Sequence, residues 1–167
     1  MTHALNIVGQ DQPVATGIRN PDTLADAISG VFADTYRLTF KTHAYHWNVE
    51  GPLFLSLHNL TEAQYEDLFS AADVLAERIR ALGKMAPTSL AQIIEKSVIK
   101  DEDANLSAGE MCKDLADDHE RVAHRLHALI KIAAEHNDPV TEDLATARSA
   151  FHEKAAWMLR ALSADNA

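Results

Sequence analysis

Glycine and proline are scarce in this chain, and most of them stand between long stretches that contain neither. The 167 residues include 6 Gly and 5 Pro, with breaks at Asn20-Pro21, Gly51-Pro52, Gly83 and Asp138-Pro139. Proline is favoured at the first position of a helix and glycine just after its end. This punctuation predicts an all-α chain of long helices with few turns.

Four long helices fit between these breaks. We expect the first from Asn20 as N-cap to Gly51-Pro52, the second over about 53–82, the third from near Ser107, and the fourth from Asp138-Pro139. A short helix from Pro87 and Thr88 to about Lys96 is expected in the long middle connection. The first and last links are tight, so helices two and three should run parallel. This arrangement is a four-helix bundle with one crossover.

Apolar residues at helical spacing predict which faces are buried. The first stripe is Leu24, Ile28, Val31, Leu38, Tyr45 and Val49, with Thr35 and Thr42 filling in; the third helix contributes Met111, Leu115, Val122, Leu126, Leu129 and Ala133; the fourth contributes Val140, Leu144, Ala147, Phe151, Met158 and Leu162.

The bulk properties narrow the class of protein. Residues 1–19 are polar and aperiodic and predict a flexible tail, which leaves 20–167 as a single domain. A formal charge of -10 is a poor match for nucleic acid or an anionic membrane, and it suits cations. The single Cys112 excludes an internal disulfide and fits the cytoplasm. We predict neither a signal peptide nor a membrane segment, and leave association with the nucleoid open.

Histidine and carboxylate side chains recur around the first helical bend. His46 precedes the bend at Gly51, and His58 follows it, so the two should face each other. Glu62 lies one turn beyond His58, in the relation that lets two side chains share a ligand. These residue types suit divalent metals of hard and borderline character.

A second pair of carboxylates, Asp73 and Glu77, lies fifteen residues further along the same helix. That displacement is roughly 22 Å, so one chain alone cannot complete the site. Positions 58 and 77, and likewise 62 and 73, are equidistant from a point between Asp67 and Leu68. A two-fold axis there would bring His46, His58 and Glu62 of one chain to Asp73 and Glu77 of another. The alternative interpretation is a set of ordinary polar residues on a solvated helix face.

The segment KTHAYHWNVEGPLFLSLHNLTEAQYEDLFSAADVLAERIRALG, residues 41–83, resembles the signature of the Dps family, the ferritin-like mini-ferritins of bacteria. The resemblance extends in outline over about 20–163. It implies a ferritin-like four-helix bundle, a hollow homododecamer built from two-fold dimers, and a ferroxidase. Such an enzyme oxidises Fe(II), preferentially with hydrogen peroxide, stores the ferric mineral inside, and so protects DNA from oxidative damage.

The resemblance also implies roles for single residues. Asp73 and Glu77 would bind iron directly with His46 of the neighbouring chain, while His58 and Glu62 act directly or through water. Trp47 would be an electron donor or the first target of stray radicals, or alternatively a packing aromatic. No Glu is followed three places later by His, which argues against a bacterioferritin or a di-iron oxygenase.

Several further residues are side candidates. His43 is an accessory ligand or, as we prefer, a packed histidine near the site. We interpret His119, His124 and His127 as core or interface histidines. The acidic residues Glu142, Asp143 and Glu153 fall where the family places three-fold pores that admit iron, although acids in a first helical turn also suit the helix dipole.

Two alternative functions remain. Some family members compact DNA through lysine-rich tails, but residues 1–19 hold Arg19 as their one base, so we do not expect direct DNA binding. The site could also be a non-redox buffer for Zn(II) or Mn(II), because carboxylate and histidine ligands do not select iron by affinity.

Overall fold

The computed structural model describes residues 12–102 and 105–164. Within them the chain is all-helical. The elements are α1 (Pro21–Asn48), α2 (Phe54–Ala81), the short α3 (Leu90–Lys96), α4 (Ala108–Glu135) and α5 (Pro139–Ser163). The predicted four-helix bundle with a short helix in the long connection is confirmed.

The helix boundaries follow from the residues that flank them. Gly51 and Gly83 have positive φ angles of 89° and 83°, which glycine adopts at little cost. Ser107 forms a capping box with Glu110 at the start of α4. Pro21 begins α1 as predicted, but Asn20 is left-handed and its side chain makes no cap, because its amide points toward His136 instead.

Helix α3 begins later than predicted. Its N-cap is Ser89, whose hydroxyl accepts a hydrogen bond from the Gln92 amide, so the helix begins after Pro87 and Thr88.

Two antiparallel hairpins, α1–α2 and α4–α5, make up the bundle, and the crossover connection that contains α3 joins them. His46 pairs with His58 across α1 and α2, whereas Gly30 and Tyr45 of α1 contact Arg125 and Asp114 of α4. Both α2 and α4 therefore run antiparallel to α1 and parallel to each other, as predicted.

The crossover is fixed to α1 by a buried carboxylate. Asp34 accepts hydrogen bonds from Ser97, from the Val98 amide and from Arg125. Gly30 leaves the room that the guanidinium of Arg125 occupies, because a Cβ at position 30 would collide with it. Together these contacts tie the end of α3 to both hairpins.

The predicted apolar stripes of α1 and α4 are buried, whereas only part of the stripe predicted for α5 packs against the core. Val140, Ala147 and Met158 are exposed, and Leu144, Phe151 and Leu162 are only half-buried. Apart from Leu159, the buried face of α5 consists of small and polar residues: Thr141, Ala145, Ser149, His152, Ala155 and Ala156. Small side chains let α5 approach its neighbours closely. A prediction from apolar spacing instead selects the large hydrophobic residues, which lie on the flanks of this face.

Part of the predicted tail contacts the bundle. The Val14 amide donates to the Ala81 carbonyl at 3.0 Å, and the Arg19 amide donates to the His136 carbonyl at 2.8 Å. Residues 14–19 are thus held against the ends of α2 and α4, while 1–11 lie outside the described residues. None of the helices in the described part has an apolar stretch that would suffice to span a membrane.

Candidate metal site on the α1–α2 hairpin

His46 and His58 join the end of α1 to the beginning of α2 through reciprocal hydrogen bonds. His46 Nδ1 lies 2.9 Å from the His58 carbonyl oxygen, and His58 Nδ1 lies 3.0 Å from the His46 carbonyl oxygen. The two rings stack with their centroids 3.7 Å apart. His46 is among the last four residues of α1, whose backbone carbonyl oxygens accept no hydrogen bond from amides within the helix. The His58 ring satisfies one of them.

These bonds fix the tautomer of both rings. A carbonyl oxygen only accepts, so each Nδ1 must carry the hydrogen and donate it. In a neutral ring the lone pair then lies on Nε2, the atom that is left to bind a metal. Backbone acceptors of this kind are the usual means of orienting metal-binding histidines.

An aromatic cluster borders the pair of histidines. The His43 ring lies 4.1 Å from the Trp47 ring and 4.1 Å from the Tyr65 ring, measured between centroids. Tyr65 meets His46 edge-on at 5.3 Å. His43 is therefore packed between two aromatic rings, in accord with its preferred interpretation as a packed histidine, and Trp47 is 57% exposed.

Tyr65 was not among the predicted site residues. It lies seven residues after His58, two helical turns on, so its spacing was the available signal. Burial of the ring, and then the carboxylates of Glu62 and Glu66, raise the pKa of Tyr65. The phenol therefore stays protonated beside the acidic face of α2.

Glu62, Asp73 and Glu77 are exposed on α2. With His58 and Phe69 they occupy one stripe, about 100° wide, along the helix. Glu62 lies one turn from His58, whereas Asp73 and Glu77 are roughly 22 Å away. Across the described residues, no cluster of three or more His, Cys, Asp or Glu side chains is placed to hold a metal ion. One chain thus brings together the two histidines but not the distant carboxylates.

The other candidate histidines have diverse surroundings. His119 is fully buried, as predicted for a core histidine, and its Nδ1 lies 2.9 Å from Nδ1 of His152. His152 was missed, because it lies 33 residues away and no spacing links the two. His124 and His127 are exposed in the chain, so they are not core residues; His127 pairs with Glu153 at 3.1 Å.

The acidic residues of α5 lie near the surface. Asp143 and Glu153 are exposed and Glu142 is half-buried. Their role in a pore stays a prediction, as does the assignment of the metal ligands.

The protein families, single relatives and solved structures that are similar to this chain all agree with one another. The profile of the ferritin-like domain matches residues 25–165. A low temperature-induced protein of Nostoc sp. is 38% identical over 130 residues, which cover 77% of this chain and 73% of the relative. The DNA protection during starvation protein of Brevibacillus brevis is 36% identical over 74% of this chain and 83% of its own length.

Among solved structures, the Dps protein of Vibrio cholerae O1 superposes with a TM-score of 0.80 and 29% identity. The match covers 84% of this chain and 89% of that protein, which belongs to a broad superfamily of ferritin-like diiron-carboxylate proteins.

Proposed function

The chain belongs to the Dps family of ferritin-like proteins, and we propose that it is a ferroxidase that stores iron and protects DNA from oxidative damage. Family membership supports iron storage and stress protection. The finer proposal is that Fe(II) is the substrate, hydrogen peroxide the preferred oxidant, and a hollow homododecamer the store for the ferric product.

The observation that carries this proposal is the reciprocal pair of bonds between His46 and His58. They orient two imidazole Nε2 atoms without using either as a donor to the protein. Glu62, one turn along α2, adds a carboxylate to the same half-site. We infer that these three residues form the half-site that one subunit contributes.

Asp73 and Glu77 would complete the site from a second subunit. Antiparallel packing of α2 on its own copy about a point between Asp67 and Leu68 brings the two halves together. Phe69 stands next to that point and is 61% exposed in the single chain. It shares a groove of about 710 Å³ with Tyr36, Val74 and Asp73. An exposed apolar patch beside the proposed ligands supports an interface on this face.

The proposed chemistry follows from the ligand types. Carboxylates stabilise the ferric product more than the ferrous substrate, and imidazoles suit both. Hydrogen peroxide accepts one electron from each of two Fe(II) ions and two protons, and leaves as two water molecules. Pairing the two electrons avoids hydroxyl radical. Trp47 is exposed and its ring is tilted against that of His43 at 4.1 Å between centroids. It would donate an electron when only one Fe(II) ion is present to reduce the peroxide.

The test is the rate of Fe(II) oxidation after anaerobic addition of hydrogen peroxide, followed by ferric absorbance. We expect the wild-type protein to oxidise Fe(II) faster than buffer, and the double variant Asp73→Ala/Glu77→Ala to lose at least tenfold of that rate, about the loss that metal-site changes produce. Asp26→Ala/Glu95→Ala removes two exposed carboxylates from α1 and α3 and is the matched control.

Oxidation no faster than in buffer would contradict the ferroxidase and favour a buffer for Zn(II) or Mn(II). Full activity of Asp73→Ala/Glu77→Ala would place the ligands elsewhere.

Direct binding of DNA is not part of the proposal. The side chain of Arg19 donates to the Glu135 carbonyl at 2.6 Å, so the one Lys or Arg of residues 1–19 is already engaged with the bundle. DNA protection would then be a result of removing Fe(II) and peroxide.

A further inference from the structure

A polar layer crosses the interior of the bundle, away from the α1–α2 site. His119 of α4 and His152 of α5 are buried and joined through their Nδ1 atoms at 2.9 Å. Gln64 of α2 is buried too, with 4% of its surface exposed. Arg148, one turn before His152 on α5, contributes the charge of the layer. Three helices thus place polar side chains where an apolar core is expected.

Phe151 connects the members of this layer. Its ring centroid lies 6.0 Å from that of His119, and the guanidinium of Arg148 lies 4.3 Å from the Phe151 centroid. Gln64 and Phe151 line the same depression between α2 and α5, which has a volume of about 220 Å³. One turn further along α2, Asp67 accepts a hydrogen bond from Arg148 Nη1 at 2.6 Å. Phe151 therefore lies beside His119, Arg148 and Gln64 alike.

Five buried atoms in this region have no hydrogen-bond partner among the residues that the structure describes. They are Gln64 Oε1 and Nε2, His119 Nε2, and Arg148 Nε and Nη2. Buried polar atoms are almost always bonded in folded proteins, because an unbonded one keeps the full cost of losing water. Five such atoms, on three residues beside Phe151, indicate hydrogen-bond partners that the protein side chains do not supply.

Charge limits what those partners can be. The positive charge of Arg148 disfavours a cation, and burial, assisted by that charge, lowers the pKa of both histidines and keeps their rings neutral. Asp67 already pairs with Arg148, and its negative charge disfavours the binding of an anion. An uncharged molecule that both donates and accepts hydrogen bonds fits best. We propose that Gln64, His119 and Arg148 bind ordered water inside the bundle.

Water suits every orphaned atom of the layer. Arg148 Nε and Nη2 only donate, whereas the Gln64 amide offers one donor group and one acceptor. In the Nδ1–Nδ1 bond one histidine donates and the other accepts, so His119 Nε2 can be either donor or acceptor. A water molecule can accept a hydrogen bond from His119 Nε2 or donate one to it.

The sign of one stability change tests the proposal. Gln64→Leu keeps the approximate size of the side chain but removes both amide atoms. If water is bonded to them, the variant loses those bonds, and we expect the melting temperature to fall by several degrees. If the amide is unbonded, removing it relieves a buried polar group, and the melting temperature should rise. Gln12→Leu makes the same change at an exposed position and is the control.

A crystal structure of the wild-type protein at high resolution gives an independent answer, including the case in which Gln64→Leu fails to fold. We expect solvent density within hydrogen-bond distance of the Gln64 amide and of His119 Nε2. A dry interior, a rise in melting temperature for Gln64→Leu, or density for a metal ion or an anion at these atoms would overturn the proposal.

Discussion

Burial keeps the rings of His119 and His152 neutral in the folded chain. Loss of water, and then the charge of Arg148, lower the pKa of His119 to about 3. Burial, His119 and Arg148 lower that of His152 well below its ordinary value. In the unfolded chain both rings have ordinary pKa values near 6.5. Below about pH 6.5 the unfolded state therefore binds protons at both rings that the folded state does not, down to about pH 3 for His119.

The consequence is a loss of stability in acid. Each of these histidines contributes a slope of roughly 1 kcal/mol per pH unit, so that the free energy of unfolding falls as the pH drops below about 6.5. His152→Gln should reduce this slope, measured by urea unfolding at a series of pH values. His124→Gln changes an exposed histidine of α4 and is the control. An unchanged slope in His152→Gln would show that the ring does not stay neutral in the folded protein.

Residue pairs are predictable from the sequence when a tight bend or a short helical spacing joins them. The approach of His46 to His58 follows from the bend at Gly51. Their reciprocal bonds do not, because the acceptors are backbone carbonyls whose positions depend on α1 ending at Asn48. The contact of His119 with His152 also lies beyond such reasoning, since it depends on how α4 and α5 pack.

At the scale of elements, one buried ion pair positions α5 against α2. Asp138 caps α5 by accepting from the Thr141 amide, and it accepts from Arg78 of α2 at 2.6 Å. Burial alone would raise the pKa of Asp138, but the bonds from Arg78 and Thr141 outweigh it and lower the pKa. This carboxylate contributes stability above its unfolded pKa, and the contribution is lost as the pH falls through the lower, folded pKa.

Asp138→Ala should destabilise the protein by about 3 kcal/mol, because it removes a helix cap and leaves Arg78 without its buried partner. Asp138→Asn, which keeps a capping oxygen, should cost less. Urea unfolding at fixed protein concentration measures both values. Asp143→Ala, exposed on the same helix, should stay within about 0.5 kcal/mol of the wild type. Equal stability of Asp138→Ala and wild type would refute a structural role for the pair.

The sequence predicts the positions of the helices well, but its prediction of the buried face is better for α1 and α4 than for α5. On α1 and α4 the apolar residues at helical spacing are buried, so their periodicity identifies the core, while Phe40 and Trp47 of α1 lie outside that stripe and are exposed. On α5 the buried face includes Ala145, Ser149 and Ala156, and hydrophobicity alone does not distinguish such residues from a solvated face. Close packing of two helices depends on the size of the side chains between them, whereas the periodicity of apolar residues reflects only their polarity.

At the scale of the whole molecule, the proposed site makes activity a property of the assembly. Each subunit would offer one half-site with two histidines and another with two carboxylates. Twelve chains of 18.3 kDa give a particle of about 220 kDa, which solution mass measurement can check.

Mixing two inactive proteins tests the shared site. His46→Ala/His58→Ala keeps the carboxylates, and Asp73→Ala/Glu77→Ala keeps the histidines. After dissociation and joint reassembly, each mixed dimer should hold one intact site, so an equal mixture should recover about one quarter of wild-type ferroxidase activity. Each variant reassembled alone should stay inactive. A mixture that also stays inactive, although mixed dimers are present, would contradict the two-fold site.

The placement of the ligands has a consequence for engineering. All of the proposed metal-binding residues lie between positions 46 and 77, on α1, α2 and the bend that joins them. The hairpin is held at that bend by the crossed bonds of its own two histidines. The proposed chemistry would therefore be modular: this hairpin could be grafted onto another scaffold that dimerises in the same register, and the second hairpin could be redesigned without touching a proposed ligand.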